Sequence, residues 1–189
     1  MGTSRSPRPT PSPIPPTTNV VATTPDDGNL SVLLKKNSRV LDADSLLVLN
    51  CPGSVTARAI IGMLPGFPVY FFNREKAEHL AVASVLNGSG ENLRSEWATW
   101  LHDASPREAA VVFLPKGRAL AEMDIAMATC SVRQGGSVTL VGRLRDGIRA
   151  ARRTLQSSCG PLIHSDAARH AVCYTSAREL DPAGGSSLE

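Results

Sequence analysis

The residues able to do chemistry in this sequence sit where its apolar runs end. Ser45–Asn50, "SLLVLN", runs into "CPGS", and Phe67–Asn73, "FPVYFFN", runs into "RE". If these runs are parallel strands, their carboxyl ends lie where α/β folds bind nucleotides and cofactors. Such a site needs glycines, so that the backbone can approach the ligand, and a helix N-terminus facing it. "LNCPGS" offers Asn50, Pro52 and a single glycine, Gly53, and the G-x-G-x-x-G fingerprint of a NAD site is absent. The end of the second strand normally carries a carboxylate that accepts hydrogen bonds from ribose hydroxyls. Here stands Asn73, which accepts only through its amide oxygen. Asn50, Pro52, Gly53 and Asn73 are therefore candidate cofactor-binding residues of a vestigial kind. Two structural roles compete: Ser54 as the N-cap of a tight strand-to-helix turn, and Asn73 as a cap for the "REKAEH" helix.

A third run, "AAVVFLPKGR", ends in Pro115, Lys116 and Gly117, with no acid, aromatic or nucleophile. Lys116 reads as a loop lysine or a phosphate contact. Further on, "RLRDGIRAARR" sets Arg143, Arg145, Arg149, Arg152 and Arg153 against a single Asp146. At helical spacing Arg145, Arg149, Arg152 and Arg153 share a broad face suited to nucleic-acid phosphates. The other reading is a solvated face with cations toward the helix C-terminal half. His79, His102, His164 and His170 have no Ser, Cys or Asp partner at a telling spacing and read as surface or core residues. Cys51, Cys130, Cys159 and Cys173 form no CxxC pair, so no zinc site is expected, and no catalytic residue is assigned. Three of the four lie in or beside apolar patterns, as buried thiols of a reducing cytoplasm do.

These positions need elements to hold them. A chain of 189 residues, 42% hydrophobic and 20% charged, suffices for one cored domain and a tail. A net charge of +3 excludes an argument for a nucleic-acid partner from charge alone. No run approaches the roughly 20 apolar residues of a membrane span, and no signal-like apolar region opens the chain. "MGTSRS" fits the loose myristoylation pattern, which is too short to decide anything. Half of the 14 prolines fall in the first 25 residues, so residues 1–28 are expected to form a disordered, Pro-rich tail. Residues 29–180 form the expected domain, and 181–189 a linker or vector-derived end.

Within that domain "NLSVLLKK" reads as a short helix or strand. "VTARAIIGML" reads as a helix with Ala57, Ile60, Ile61 and Leu64 on one face. The next helix, through "AEHLAVASVL", is given a stripe of Ala77, Leu80, Ala81, Ser84 and Val85, ending at Asn87-Gly88. A short strand through Leu93 and a turn carrying Trp97 and Trp100 follow. "RALAEMDIAMATCSV" is a helix closed by Gly135-Gly136, which launch the strand "SVTLVGR". "DGIRAARRTLQSSCG" is the next helix, and "PLIHSD" and "AVCYTSA" are closing strands joined by "AARH". Strands repeatedly separated by helix-length segments mean βαβ units, hence a mainly parallel twisted sheet with helices on both faces.

The stretch "DASPREAAVVFLPKGRALAEMDIAMATCSVRQGGSVTLVGRLRDGIRAARRTL" resembles the amino-terminal domain of the bacterial small-subunit (16S) ribosomal RNA guanine-N2 methyltransferases. The matching features are Pro115-Lys116, Gly135-Gly136, Val141-Gly142 and Gly147-Ile148-Arg149. The resemblance implies a class I, Rossmann-like methyltransferase fold. In that family the carboxy-terminal half binds S-adenosylmethionine and carries an Asn-Pro-Pro-aromatic motif, while the amino-terminal half has lost both functions. No Asn-Pro-Pro or Asp-Pro-Pro occurs in this chain. The expectation is a degenerate domain that supports the fold and RNA recruitment for a catalytic half outside this chain. Its implied partners are that methyltransferase half and small-subunit ribosomal RNA, with no membrane. Lys116 and Arg143, Arg145, Arg149, Arg152 and Arg153 are the candidate RNA contacts, and S-adenosylmethionine is the family's cofactor. The competing expectations are an active methyltransferase using "LNCPGS" and Asn73, and a partner-binding module with neither ligand.

Overall fold

The structure, a computed structural model, describes residues 27–88, 90–103 and 105–179. Most of the expected tail, and the expected end segment 181–189, lie outside these residues. At the centre stands β1 (Leu46–Leu49), whose four residues are all buried. Leu46 and Val48 point into one apolar cluster and Leu47 and Leu49 into another on the opposite face. A strand covered on both sides has no polar face, which is why "LLVL" lacks alternation. Parallel to it run β2 (Val69–Asn73) and β4 (Arg107–Phe113), then β3 (Leu93–Trp97) beyond β2 and β5 (Val132–Arg143) beyond β4. β7 (Ala171–Ala177) pairs antiparallel with β5, and β6 (Leu162–Ala168) forms the edge. The sheet order is β3-β2-β1-β4-β5-β7-β6.

Helices α1 (Asp27–Lys36), α2 (Ser54–Met63) and α3 (Lys76–Leu86) cover one face, and α4 (Arg118–Ser131) and α5 (Ile148–Cys159) the other. The α/β sheet with helices on both faces is as expected, and α1 takes in Asp27 and Gly28 from the expected tail. Cys51, Cys159 and Cys173 are buried, and Cys130 is exposed. No helix among the described residues is long and apolar enough to cross a membrane.

Several local readings change. Ser54 is not a cap: it opens α2, and Gly53 is the capping residue, its carbonyl accepting from Ala57 N at 3.0 Å. On α3 the inward residues are Ala81 and Val82, and Leu80 is 54% exposed. That helix is apolar on most sides and lies near the sheet edge, so its pattern does not fix the buried face. Gly135-Gly136 do not close α4, which ends at Ser131 and passes directly into β5. The pair forms a bulge instead, because β5 advances from Val132 to Ser137 while β4 advances only from Arg107 to Ala109. Arg178 pins the bulge, accepting from Gly135 N at 3.0 Å and donating its own N–H to Gly136 O at 2.8 Å. β6 runs on to Ala168, so the hairpin turn is only Arg169-His170, both with positive φ.

At the far edge α1 is clasped to β6. Lys36 Nζ donates to Asp166 Oδ1 at 2.9 Å, Asn37 Nδ2 to Asp166 Oδ2 at 2.9 Å, and His164 Nε2 to Asn37 Oδ1 at 2.8 Å. The Lys36 and Asn37 hydrogen bonds hold the Asp166 carboxyl at about 2, below the usual carboxylate range.

Two predictions follow from this packing. A methyl group on Gly136 would collide with the Glu108 carbonyl oxygen and the Val132 side chain. Gly136→Ala is therefore expected to lower stability by about 1–3 kcal/mol in urea unfolding. Because the folded-state pKa of Asp166 is depressed, its contribution is present above about pH 4 and is lost as pH falls toward 2. Thermal melts against pH should show a shallower fall over that window for Asp166→Asn than for the parent.

Candidate functional site

All five parallel strands end on one edge of the sheet, so every candidate residue is brought to that edge or near it. What they do there differs from residue to residue. Asn50 leaves β1 with φ 54°, a left-handed turn that Asn tolerates. Its backbone N–H donates to Phe72 O at 2.8 Å, and its side-chain Nδ2 donates to Asp124 Oδ2 at 2.7 Å. Asp124 projects from the middle of α4 and is fully buried. Arg74, the first residue after β2, meets it with two hydrogen bonds, from Nε at 3.0 Å and Nη2 at 2.8 Å to Oδ1.

The Arg74 side chain is itself 12% exposed. Its guanidinium lies 5.3 Å from the Phe72 ring centroid, and Nη1 donates to the Thr99 carbonyl. A guanidinium held by a carboxylate, a carbonyl and an aromatic face thus crosses in front of β1, from β2 to α4. The sequence reading missed both Arg74 and Asp124. The available signal was an aspartate within the apolar stretch "AEMDIAM", since a carboxylate buried there needs a partner.

The other three cofactor candidates do not converge. Pro52 is half-buried and Gly53 buried in the turn into α2. Asn73 is fully buried, and neither side-chain atom of its amide has a hydrogen-bond partner. By alternation along β2 it shares the side of Val69 and Phe71, toward α2 and α3, away from Arg74. It is not a helix cap either, because Glu75 occupies that position of α3.

The arginines separate as well. Arg149 and Arg153 line a groove of about 460 Å³ between the N-terminal halves of α4 and α5, together with Arg118, Leu114 and Gly117. Arg118 is paired with Glu122 at 2.7 Å. Among the described residues no carboxylate pairs with Arg149 or Arg153. A glycine caps the start of each helix, Gly117 for α4 and Gly147 for α5, and Gly147 takes the left-handed φ of 86°. Glu122 and Asp146 line the groove too, Glu122 paired with Arg118, so its attraction for anions comes from two helix N-termini together with Arg149 and Arg153. Arg152 turns away from it, with its guanidinium 5.4 Å from the Tyr174 ring centroid. Arg143 ends β5 and Arg145 lies in the short 3-10 turn after it, 3.8 Å from Asp146. Lys116 is exposed in the loop after β4.

Between β3 and β4 the described residues, 98–103 and 105–106, form no helix. Tyr70 donates its hydroxyl to Glu96, which also pairs with His102. Burial works to raise the Glu96 carboxyl, but the bonds from His102 and Tyr70 outweigh it and hold the group below its usual range. Burial and the Glu96 carboxylate together push the Tyr70 hydroxyl up. Asp103 is held at about 2 by Ser105 and by Arg107, whose Nη2 donates at 2.6 Å.

The family model for the methyltransferase small domain, N-terminal, matches residues 31–184. The chain belongs to this family. Among curated relatives it is 24% identical over 148 residues to the ribosomal RNA small subunit methyltransferase C of Shewanella sediminis, covering 78% of this chain and 42% of that protein. To the enzyme of the same name from Pseudoalteromonas atlantica it is 27% identical over 143 residues, covering 76% and 40%. The chain thus spans about two fifths of the length of these relatives. Among solved structures, a T. thermophilus 16S rRNA N2 methyltransferase in complex with AdoMet and guanosine superposes with a TM-score of 0.59 at 18% identity, covering 72% of this chain and 35% of that one. A putative Escherichia coli methyltransferase superposes with a TM-score of 0.59 at 17% identity, covering 90% and 91%. The fold is that of the Rossmann-like methyltransferases.

The ion pair at the edge has a direct test. Removing one partner strands a buried charge, so Asp124→Ala is expected to cost about 3–5 kcal/mol in denaturant unfolding. The double substitution Arg74→Met/Asp124→Leu should recover most of that loss.

Proposed function

We propose that this chain is a non-catalytic amino-terminal domain of a small-subunit ribosomal RNA guanine-N2 methyltransferase, supporting the fold and RNA recruitment for a catalytic half. The observation that carries this reading is the Arg74–Asp124 pair in front of β1 and β2. S-adenosylmethionine does not fit the residues there. Its ribose hydroxyls call for a carboxylate at the end of β2, and Asn73 stands there facing the other side of the sheet. The buried carboxylate at this edge, Asp124, already accepts from Arg74 and Asn50. A further cation, the sulfonium, gains nothing beside a guanidinium. After β4 the loop Leu114-Pro115-Lys116-Gly117 supplies no acid or base for methyl transfer.

The RNA part of the reading is supported by the groove bearing Arg149 and Arg153, and by the activity that the relatives' names describe. Phosphates would sit against those arginines, with Lys116, in the loop after β4, and Arg143 and Arg145, at and just after the end of β5, adding positive charge. Arg152, spent on Tyr174, would contribute less.

Calorimetric titration with S-adenosylmethionine is expected to show no binding, and micromolar affinity would overturn the non-catalytic reading. Arg149→Ala/Arg153→Ala is expected to weaken binding to small-subunit RNA fragments and to reduce the salt dependence by about one unit of slope per arginine. Unchanged RNA affinity in that variant at moderate salt would remove the recruitment role.

A further inference from the structure

The same edge of the sheet ends, on its β3 side, in the chain's two tryptophans. Trp97 closes β3 in register with Asn73, and Trp100 follows in the connection to β4. They are 51% and 58% exposed. Indoles are large apolar surfaces that a fold normally buries, so a neighbouring pair in water marks a contact surface. Trp97 is held in place rather than loose. Its Nε1 donates to the Arg74 carbonyl at 3.0 Å, and the Lys76 ammonium stands 5.1 Å from its ring centroid.

Two of the carboxylates near them are engaged, while Glu75, beside Lys76, is exposed. Glu96 is bonded to Tyr70 and His102, and Asp103 to Arg107. Lys76 remains as the cation beside the indoles. The arginine groove lies at the ends of β4 and β5, three to four strand positions from β3 in the order β3-β2-β1-β4-β5. At the usual strand spacing that is about 14–19 Å along the strand ends, and a bound strand also crosses from the α3 side, where Trp97 stands in register with Asn73, to the side of α4 and α5.

We propose that Trp97 and Trp100 form a stacking platform for unpaired bases of an RNA strand whose phosphates reach the Arg149 and Arg153 groove. This rests on the RNA reading above and adds to it the form of RNA bound. Aromatic rings stack on the face of any base, but only on bases not already stacked within a duplex. The site therefore selects single-stranded segments with little regard for sequence, and the charge of the groove complements the strand's backbone.

Because the chain holds only these two tryptophans, its intrinsic fluorescence reads the platform directly. The purified chain is titrated with a short single-stranded oligoribonucleotide and with the same sequence as a duplex. The proposal expects saturable quenching by the single strand and much less by the duplex. Trp97→Ala and Trp100→Ala should each weaken single-strand binding by roughly 5- to 100-fold, measured by anisotropy of a labelled strand. Trp97→Phe and Trp100→Phe should retain most of the affinity, which separates stacking from a folding defect. Single-strand binding that depends on Arg149 and Arg153 but leaves the tryptophans unquenched, with alanine variants binding as the parent does, would overturn the platform and leave the RNA reading standing. No RNA binding at all would overturn both.

Discussion

A buried carboxylate in front of the central strand organises the working edge of this domain. Asp124 has no access to water, so its charge is tolerable only with partners, and it has three hydrogen bonds from two side chains. Meeting that requirement draws Arg74 across the ends of β2 and β1 and fixes Asn50 in its left-handed turn. The Arg74 backbone in turn orients Trp97, and its guanidinium ties down the start of the β3–β4 connection through Thr99. One electrostatic constraint thus links α4, three strand ends and the connection that carries the second tryptophan.

The remainder of the edge follows from how the strands are fed into it. Gly147 turns the chain from β5 into α5 so that the helix begins beside the start of α4, and the groove with Arg149 and Arg153 lies between them. At the opposite end of β5 the Gly135-Gly136 bulge absorbs the extra residues after α4 and is held by Arg178. The strand then lies in register with both β4 and β7. This chain keeps the sheet of the Rossmann-like methyltransferases, and an ion pair stands at the ends of its central strands.

Much of the architecture was legible in the order of residues. The continuous apolar runs "SLLVLN" and "AAVVFLP" specify strands buried on both faces, and the helix-length segments between them force parallel crossovers. The two closing strands were legible too, although their hairpin turn is shorter than the sequence suggested. The buried face of α3 was not, since Ala, Leu and Val surround that helix and only its place near the sheet edge chooses among them. Nor was the β5 bulge, because a Gly-Gly pair fits a helix stop and a strand irregularity equally well until the neighbouring strand sets the register.

The candidate site divides along the same line. Sequence alone determined that no glycine fingerprint, no carboxylate at the end of β2 and no Asn-Pro-Pro motif is present, because each is a matter of residue type at a fixed offset. It also determined that the arginines cluster near the start of one helix. Only the tertiary structure decided that Arg74 reaches Asp124, 50 positions further along the chain. Only it decided that Arg149 and Arg153 share a groove while Arg152 is turned to Tyr174. The physical reason is that pairing of buried charges and the direction of a long side chain depend on what packs opposite. The packing partners here come from strands and helices far away in sequence.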